Sequence, residues 1–111
     1  MNGIARQTAN DYVAEVLMLY LKLPETPHKA AHNDRIVAKD FHERGIHIGT
    51  IEAALLLASV RRLGRSSRLP PLPPIRSLAY FLPVLEEILF VPINDDYLNY
   101  LRLKVGSLCG K

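Results

Sequence analysis

The chain of 111 residues has no tryptophan and only one cysteine, Cys109. A single cysteine excludes an internal disulfide framework and any metal site built from several thiolates. The longest apolar run, residues 53–60 with Ser59 inside it, is far shorter than the roughly 20 residues that a membrane-spanning helix needs. The N-terminus also lacks a basic segment followed by a hydrophobic one. These absences predict a cytoplasmic protein that is not inserted in a membrane.

Apolar residues make up 49% of the sequence and charged residues 23%, which excludes a disordered chain. At this length, the chain can bury one modest hydrophobic core but not two. The formal net charge of +3 is too small to indicate a nucleic-acid-binding protein by itself. We therefore expect one globular domain whose charge distribution matters more than its total charge.

Helical spacing of apolar residues recurs in five segments that are separated by proline and glycine. These segments begin near Asp11, Asn33, Ile51, Ser77 and Asp95. The third is apolar on nearly all sides, which is typical of a buried helix. The only short β-like stretch is 45–48. The pattern predicts an all-α, compact single-domain bundle of about five helices, with the third at its centre and the first, fourth and fifth packed around it.

The predicted boundaries within these segments follow from capping and stop signals. The first helix is expected over 11–23, and the second from an N-cap at Asn33, with Asp34 beside it, to about Arg44. Thr50 is the predicted N-cap of the third helix, which ends at Gly64. Pro83 is expected to kink the fourth helix, and Asn94 or Asp95 to cap the fifth.

The domain organisation has four parts: an N-terminal arm (1–10), a helical domain (11–108), a proline- and arginine-rich connection inside it (64–76), and a C-terminal tail (109–111). The connection holds four prolines and no helical period, which predicts a stiff, partly polyproline segment. Its 71–76 stretch also fits a PxxPxR ligand for an aromatic groove. A rigid strut that fixes where the fourth helix begins is the simpler interpretation.

No acidic residue lies between Glu52 and Glu86, whereas five arginines do: Arg61, Arg62, Arg65, Arg68 and Arg76. The segment carries five positive charges, so the rest of the chain has a net charge of −2. Such a cluster can neutralise phosphates, and arginine also stacks on exposed bases. The alternative is that these side chains complement a helix C-terminus or are merely solvated. The third helix offers leucines rather than polar side chains to base edges, so we expect backbone or single-strand contact.

Catalytic and metal-binding patterns are missing. The four histidines, His28, His32, His42 and His47, lie within 20 residues, but the pattern around His28 and His32 does not support a continuous helix. We interpret them as surface histidines and predict no metal site and no cofactor. No nucleophile elbow, phosphate-binding glycine loop or HExxH motif is present, so an enzyme is not expected.

The run from Ser77 to Leu85 resembles the last helix of a DnaD-type domain, which carries an S-x-x-Y-x-x-x-I-L pattern. Tyr80, Val84 and Leu85 stand at the motif positions, with Val84 in place of isoleucine. The order of elements over about residues 11–90 is also similar to that domain. The resemblance implies a small all-α module of bacterial or phage replication initiation and restart that binds DNA and helps load the replicative helicase, with DNA contact on or beside this helix.

The leading functional prediction is a non-enzymatic nucleic-acid-binding accessory module that contacts single-stranded or non-specific DNA. Its predicted phosphate contacts are Arg61, Arg62, Arg65, Arg68 and Arg76, with Tyr80 as a stacking partner. A protein of a replication complex is a further expected partner. The alternative is a protein-interaction adaptor or homo-oligomer, such as a homodimer, that uses apolar residues off the main helical stripes. Those residues are Met18, Leu19, Tyr100 and Leu103.

Overall fold

The computed structural model describes residues 8–109, which form five α-helices and one 3₁₀ turn. The helices are α1 (Ala9–Leu21), α2 (His32–Glu43), α3 (Ile48–Leu63), α4 (Leu82–Phe90) and α5 (Asp95–Cys109), and the 3₁₀ turn (Leu78–Phe81) directly precedes α4. No strand occurs in this range, and the β-like stretch 45–48 consists of the end of a turn, two residues without regular structure and the first residue of α3. The predicted all-α single-domain bundle is confirmed.

Helix α3 lies at the centre of the bundle and packs against α1, α4 and α5, while α2 packs against α1. The α3 side chains that enter the core include Ile51 and Leu55, which are almost fully buried. Alanines at three further buried α3 positions, Ala53, Ala54 and Ala58, leave room for close approach of the neighbouring helices. The central position predicted from the apolar third segment is therefore confirmed.

A smaller apolar cluster attaches α5 to the bundle. Leu101 and Val105 of α5 are buried against Leu56 of α3, and Leu98 packs at the edge of the same cluster. These α5 residues recur at helical spacing, so one side of α5 is fixed to α3 and the opposite side faces outward.

The start of α2 differs from the prediction because Asp34, not Asn33, supplies the capping interaction. Ala31 is the N-cap, and the Asp34 carboxylate accepts a hydrogen bond from the Ala31 N–H at 2.9 Å. Its second oxygen accepts a hydrogen bond from the Leu78 N–H, also at 2.9 Å. Asp34 is only 1% exposed. One buried carboxylate thus satisfies the beginning of α2 and fixes the 3₁₀ turn against it.

The predicted N-cap of α3, Thr50, is also wrong. His47 is the N-cap, and its Nδ1 accepts a hydrogen bond from the Gly49 N–H at 2.9 Å. The helix therefore begins at Ile48, before the predicted position, because an imidazole nitrogen can satisfy a free N–H of the first turn as a hydroxyl does. The predicted stop at Gly64 is confirmed.

Pro83 does not kink a long fourth helix, contrary to prediction. The segment instead divides into the 3₁₀ turn and α4, with Pro83 at the second position of α4. The first-turn N–H groups of a helix have no intrahelical partner, so proline costs no hydrogen bond there. The chain uses Pro83 to begin a helix rather than to bend one.

The remaining boundaries differ from the prediction by one or two residues. Helix α1 runs from Ala9, where the Thr8 hydroxyl oxygen accepts from the Asp11 N–H at 3.0 Å, to Leu21 instead of residue 23. Asn94 caps α5 as predicted, because its side chain accepts from the Tyr97 N–H at 2.8 Å. Helix α5 extends through Cys109, which was assigned to the tail. The arm residues 1–7 and the tail residues 110–111 lie outside the described residues.

Candidate functional site

The proline-rich connection between α3 and the 3₁₀ turn is held at its end by a backbone hydrogen bond. The Ile75 N–H donates to the Glu25 carbonyl oxygen at 3.0 Å, and the Ile75 side chain is buried in the main core. Residues 70–74 are exposed and contain no helix. The connection therefore runs back across the C-terminal end of α3 as an exposed, non-helical segment that is anchored at its end.

Arg62 attaches this connection to α3. Its side chain is 5% exposed, and its Nε donates to a Glu25 carboxylate oxygen at 2.6 Å. The two terminal nitrogens donate to the Pro73 carbonyl oxygen and, at 3.3 Å, to the Tyr80 hydroxyl. Burial disfavours the charged form, but the hydrogen bonds to Tyr80 and Glu25 outweigh it and raise the pKa of Arg62. Arg62 is a structural link between three parts of the chain.

Arg61 is also paired within the fold. Its two terminal nitrogens donate to the two Glu87 carboxylate oxygens at 2.8 and 2.9 Å, which joins α3 to α4. The hydrogen bond from Arg61 lowers the pKa of Glu87 and raises the pKa of Arg61. Bidentate geometry of this kind is the strongest form of an arginine–carboxylate contact. The acid-free gap in the sequence conceals these pairs, because Glu25 precedes the gap and Glu87 follows it.

Among residues 8–109, the other three arginines of the segment have no carboxylate partner. Arg65 donates to the carbonyl oxygen of Pro70, which is neutral. Arg68 and Arg76 are exposed, and among residues 8–109 neither forms an ion pair. These two side chains stand near the two ends of the exposed proline stretch.

Tyr80 lies beside the predicted arginine cluster. Tyr80 is 41% exposed, and its ring contacts the Phe81 ring edge to face at 5.1 Å between centroids. The guanidinium carbon of Arg62 lies 5.6 Å from the centroid of the Tyr80 ring. A shallow groove on this side is lined by Arg61, Arg62, Arg65, Leu72, Tyr80 and Val84. The structure thus brings three of the predicted arginines together with Tyr80, whereas Arg68 and Arg76 do not line the groove.

The histidines have structural contacts or are exposed. The His42 ring packs edge to face on the Tyr12 ring at 5.0 Å, and His47 caps α3. His28 and His32 are exposed. In the described part of the chain, no group of three metal-ligating side chains is close enough to hold an ion.

An exposed apolar surface near the C-terminal end was only partly predicted. Six of the large apolar side chains with high exposure lie between residues 89 and 103: Leu89, Phe90, Val91, Tyr97, Tyr100 and Leu103. Tyr100 and Leu103 were predicted from their position off the α5 stripe, as was Met18, which is 52% exposed. The prediction that Leu19 is exposed is wrong, because Leu19 packs at the edge of the main core. Leu89, Phe90, Val91 and Tyr97 were missed.

None of the helices within residues 8–109 is long and apolar enough to cross a membrane. The sequence matches no family model, no curated protein and no solved structure. The DnaD-type resemblance therefore stays a prediction. Of its motif positions, Leu85 is buried, Val84 is half-buried and Tyr80 is exposed.

Proposed function

We propose that the chain is a non-enzymatic nucleic-acid-binding accessory module whose phosphate contacts are Arg68 and Arg76, assisted by Arg65. The observation that carries this proposal is that these arginines, unlike Arg61 and Arg62, have no contacting carboxylate in the described chain. An exposed guanidinium without an acidic partner can bind phosphate without first breaking an ion pair.

The anchored connection supports the proposal. Ile75 is held by the Glu25 carbonyl and Pro73 by Arg62, so the chain between Arg68 and Arg76 is tied to the bundle. Fixing the backbone before binding reduces the conformational entropy that a flexible basic loop would lose on a nucleic acid. Prolines restrict the same segment further.

Tyr80 is the proposed stacking residue. Its hydroxyl is held by Arg62, which fixes the ring while a large part of it stays exposed. Stacking of a base on an aromatic face does not depend on base identity and is typical of single-strand binding. The DnaD-type resemblance over about residues 11–90 points the same way, toward an accessory protein of replication initiation or restart.

The experiment is a salt titration of the affinity for a labelled single-stranded oligonucleotide, measured by fluorescence anisotropy. The logarithm of the binding constant should fall linearly with the logarithm of the salt concentration. The double variant Arg68→Ala/Arg76→Ala should reduce the steepness of that slope by about 1.4, since each single-strand phosphate contact contributes about 0.7. Tyr80→Leu should weaken binding with little change in slope, because it removes stacking and no charge.

A matched control removes the same number of positive charges from elsewhere. Lys22→Ala/Lys39→Ala lowers the net charge equally but changes exposed residues after α1 and on α2. Its slope should stay closer to that of the unmodified protein. No binding at low salt, or equal losses in both double variants, would contradict the proposal.

A protein-interaction adaptor is the second candidate function, and a specific observation favours it. Phe90 is 88% exposed and Leu103 is 77% exposed, within a short span that holds four other exposed apolar side chains. Grouped apolar side chains at a surface often mark an interaction site. The two candidate functions use different residues and are compatible with each other.

A further inference from the structure

The outer side of α5 carries a symmetric arrangement of aromatic, aliphatic and charged residues. Tyr97, Tyr100 and Leu103 recur every three residues, and Asp96, Tyr100 and Lys104 recur every four. Side chains at these spacings lie next to one another on a helix surface. Tyr100 is the midpoint of both the Asp96–Lys104 pair and the Tyr97–Leu103 pair.

The apolar part of this side is open. Tyr97, Tyr100 and Leu103 are 39%, 50% and 77% exposed. The rings of Tyr97 and Tyr100 stack on each other, with 5.7 Å between centroids and an angle of 20° between the ring planes. The opposite side of α5 is occupied by its packing on α3, so within the described part of the chain this surface is a second apolar side of the same helix and has no packing partner.

The charged residues of α5 determine in which direction a second α5 helix could pack on its outer side. Asp95 and Asp96 begin α5, whereas Lys104 lies about 12 Å further along the axis from Asp96. Among residues 8–109, neither Asp96 nor Lys104 forms an ion pair. A parallel copy of α5 would place aspartates opposite aspartates, but an antiparallel copy centred on Tyr100 places Asp96 opposite Lys104 at both ends.

We infer that the outer side of α5 is a self-association surface on which a second copy of this chain docks, with the two α5 helices antiparallel around a two-fold axis at Tyr100. Tyr97 of each copy then meets Leu103 of the other, and the two Asp96–Lys104 pairs close the ends. A two-fold interface must be complementary to itself, and this register meets that requirement for both apolar and charged residues. The antiparallel arrangement also opposes the two helix dipoles favourably.

This inference does not depend on nucleic-acid binding, because none of its residues belongs to the proposed phosphate surface. It commits to a second copy because the pattern complements itself. The aspartates that begin α5 would repel a phosphate backbone placed there. A contact through one helix per subunit is small, so the association is expected at the weak end of specific interfaces.

The first test is sedimentation equilibrium up to about 1 mM protein, a range that covers weak specific association. The mass should rise with concentration from the monomer value of 12.5 kDa to twice that value. Tyr100→Glu puts two carboxylates at the two-fold axis and should abolish the rise. The matched control is Ile36→Glu on α2, because Ile36 is 52% exposed and Tyr100 is 50% exposed. The control should associate like the unmodified chain, and circular dichroism checks that both variants are folded.

The second test addresses the register. The Asp96→Lys variant and the Lys104→Asp variant should each be monomeric when studied alone, because either change places like charges opposite one another in the dimer. A mixture of these two variants should form a heterodimer, in which both end pairs are attractive again. The double variant Asp96→Lys/Lys104→Asp should recover self-association as well.

Three results would overturn the inference: a monomer at all concentrations, association that survives Tyr100→Glu, or dimers that the single charge reversals and their mixture do not change. Oligonucleotide binding measured on the same Tyr100→Glu variant separates the two proposals. Loss of the dimer with retained affinity of each subunit for nucleic acid leaves the proposed function intact.

Discussion

The arginine-rich segment 61–76 and the outer side of α5 differ in where their most prominent side chains make contacts. At the end of α3 that leads into the connection, the side chains that look most available in the sequence form contacts within the fold: Arg62 donates to Glu25, Pro73 and Tyr80, and Arg61 donates to Glu87. On α5, side chains that are usually buried stay outside, with Leu103 at 77% exposure. The capacity of a surface to bind a partner is therefore better judged from the side chains that the fold leaves without a partner than from the composition of the sequence.

The greatest loss of stability is expected when a leucine on the inner side of α5 is replaced, whereas the same change on the outer side should have almost no effect. Leu101 is fully buried and Leu103 is 77% exposed, two residues apart on the same helix. Leu101→Ala should lower the free energy of unfolding by about 3 kcal/mol, because it leaves a cavity next to α3. Leu103→Ala should change it by less than about 0.5 kcal/mol, as expected for an exposed site. Urea denaturation of dilute, monomeric protein measures both, and similar losses in the two variants would show that the outer side of α5 is part of the core.

The next largest loss of stability is expected when Arg62 is replaced, because Arg62 connects three parts of the fold. Arg62→Ala should lower the free energy of unfolding by about 2 kcal/mol, because several hydrogen bonds of a charged, buried side chain are lost together. Arg68→Ala is the matched control and should leave stability unchanged, since Arg68 is exposed and has no ion pair among the described residues. Equal stability of the two variants in urea denaturation would remove the distinction between the paired and unpaired arginines.

The smallest expected effect is a change in the titration of the Glu87 carboxyl group. The hydrogen bond from Arg61 keeps the pKa of Glu87 below its ordinary value. Stability from this pair is therefore fully present above the ordinary glutamate pKa and is lost as the pH falls through the lowered value in the folded state. Arg61→Gln should raise the pKa of Glu87 toward its ordinary value and reduce this dependence, as followed by NMR titration of the carboxyl carbon. An unchanged Glu87 titration would show that the pair does not persist in solution.

Local sequence signals predicted the bundle well because helix formation and burial depend on residues that are near in sequence. The apolar third segment, the stop at Gly64 and the cap at Asn94 all follow from such signals. The errors at Asn33, Thr50 and Pro83 arose where alternative local arrangements competed. Asp34, the third residue of α2, supplies the capping carboxylate of that helix. His47 caps α3 in place of a hydroxyl-bearing residue, and Pro83 stands in the first turn of α4 instead of bending a longer helix.

The candidate site was harder to predict because its contacts join residues far apart in the chain. Arg62 meets Glu25 across 37 positions and Arg61 meets Glu87 across 26, so an acid-free window in the sequence does not describe the charges around these arginines. On α5, the same three-residue spacing that marks Tyr97, Tyr100 and Leu103 is visible in the sequence, and reading both sides of the helix would have found Tyr97 as well.

A ¹⁵N NMR spectrum of the arginine Nε–H groups, recorded during titration with a single-stranded oligonucleotide, shows directly which arginines contact the phosphates. If unpartnered arginines form the phosphate surface, the signals of Arg68 and Arg76 shift with added oligonucleotide, while those of Arg61 and Arg62 keep their positions. Shifts confined to Arg61 and Arg62, with Arg68 and Arg76 unchanged, would contradict a phosphate surface formed by Arg68 and Arg76.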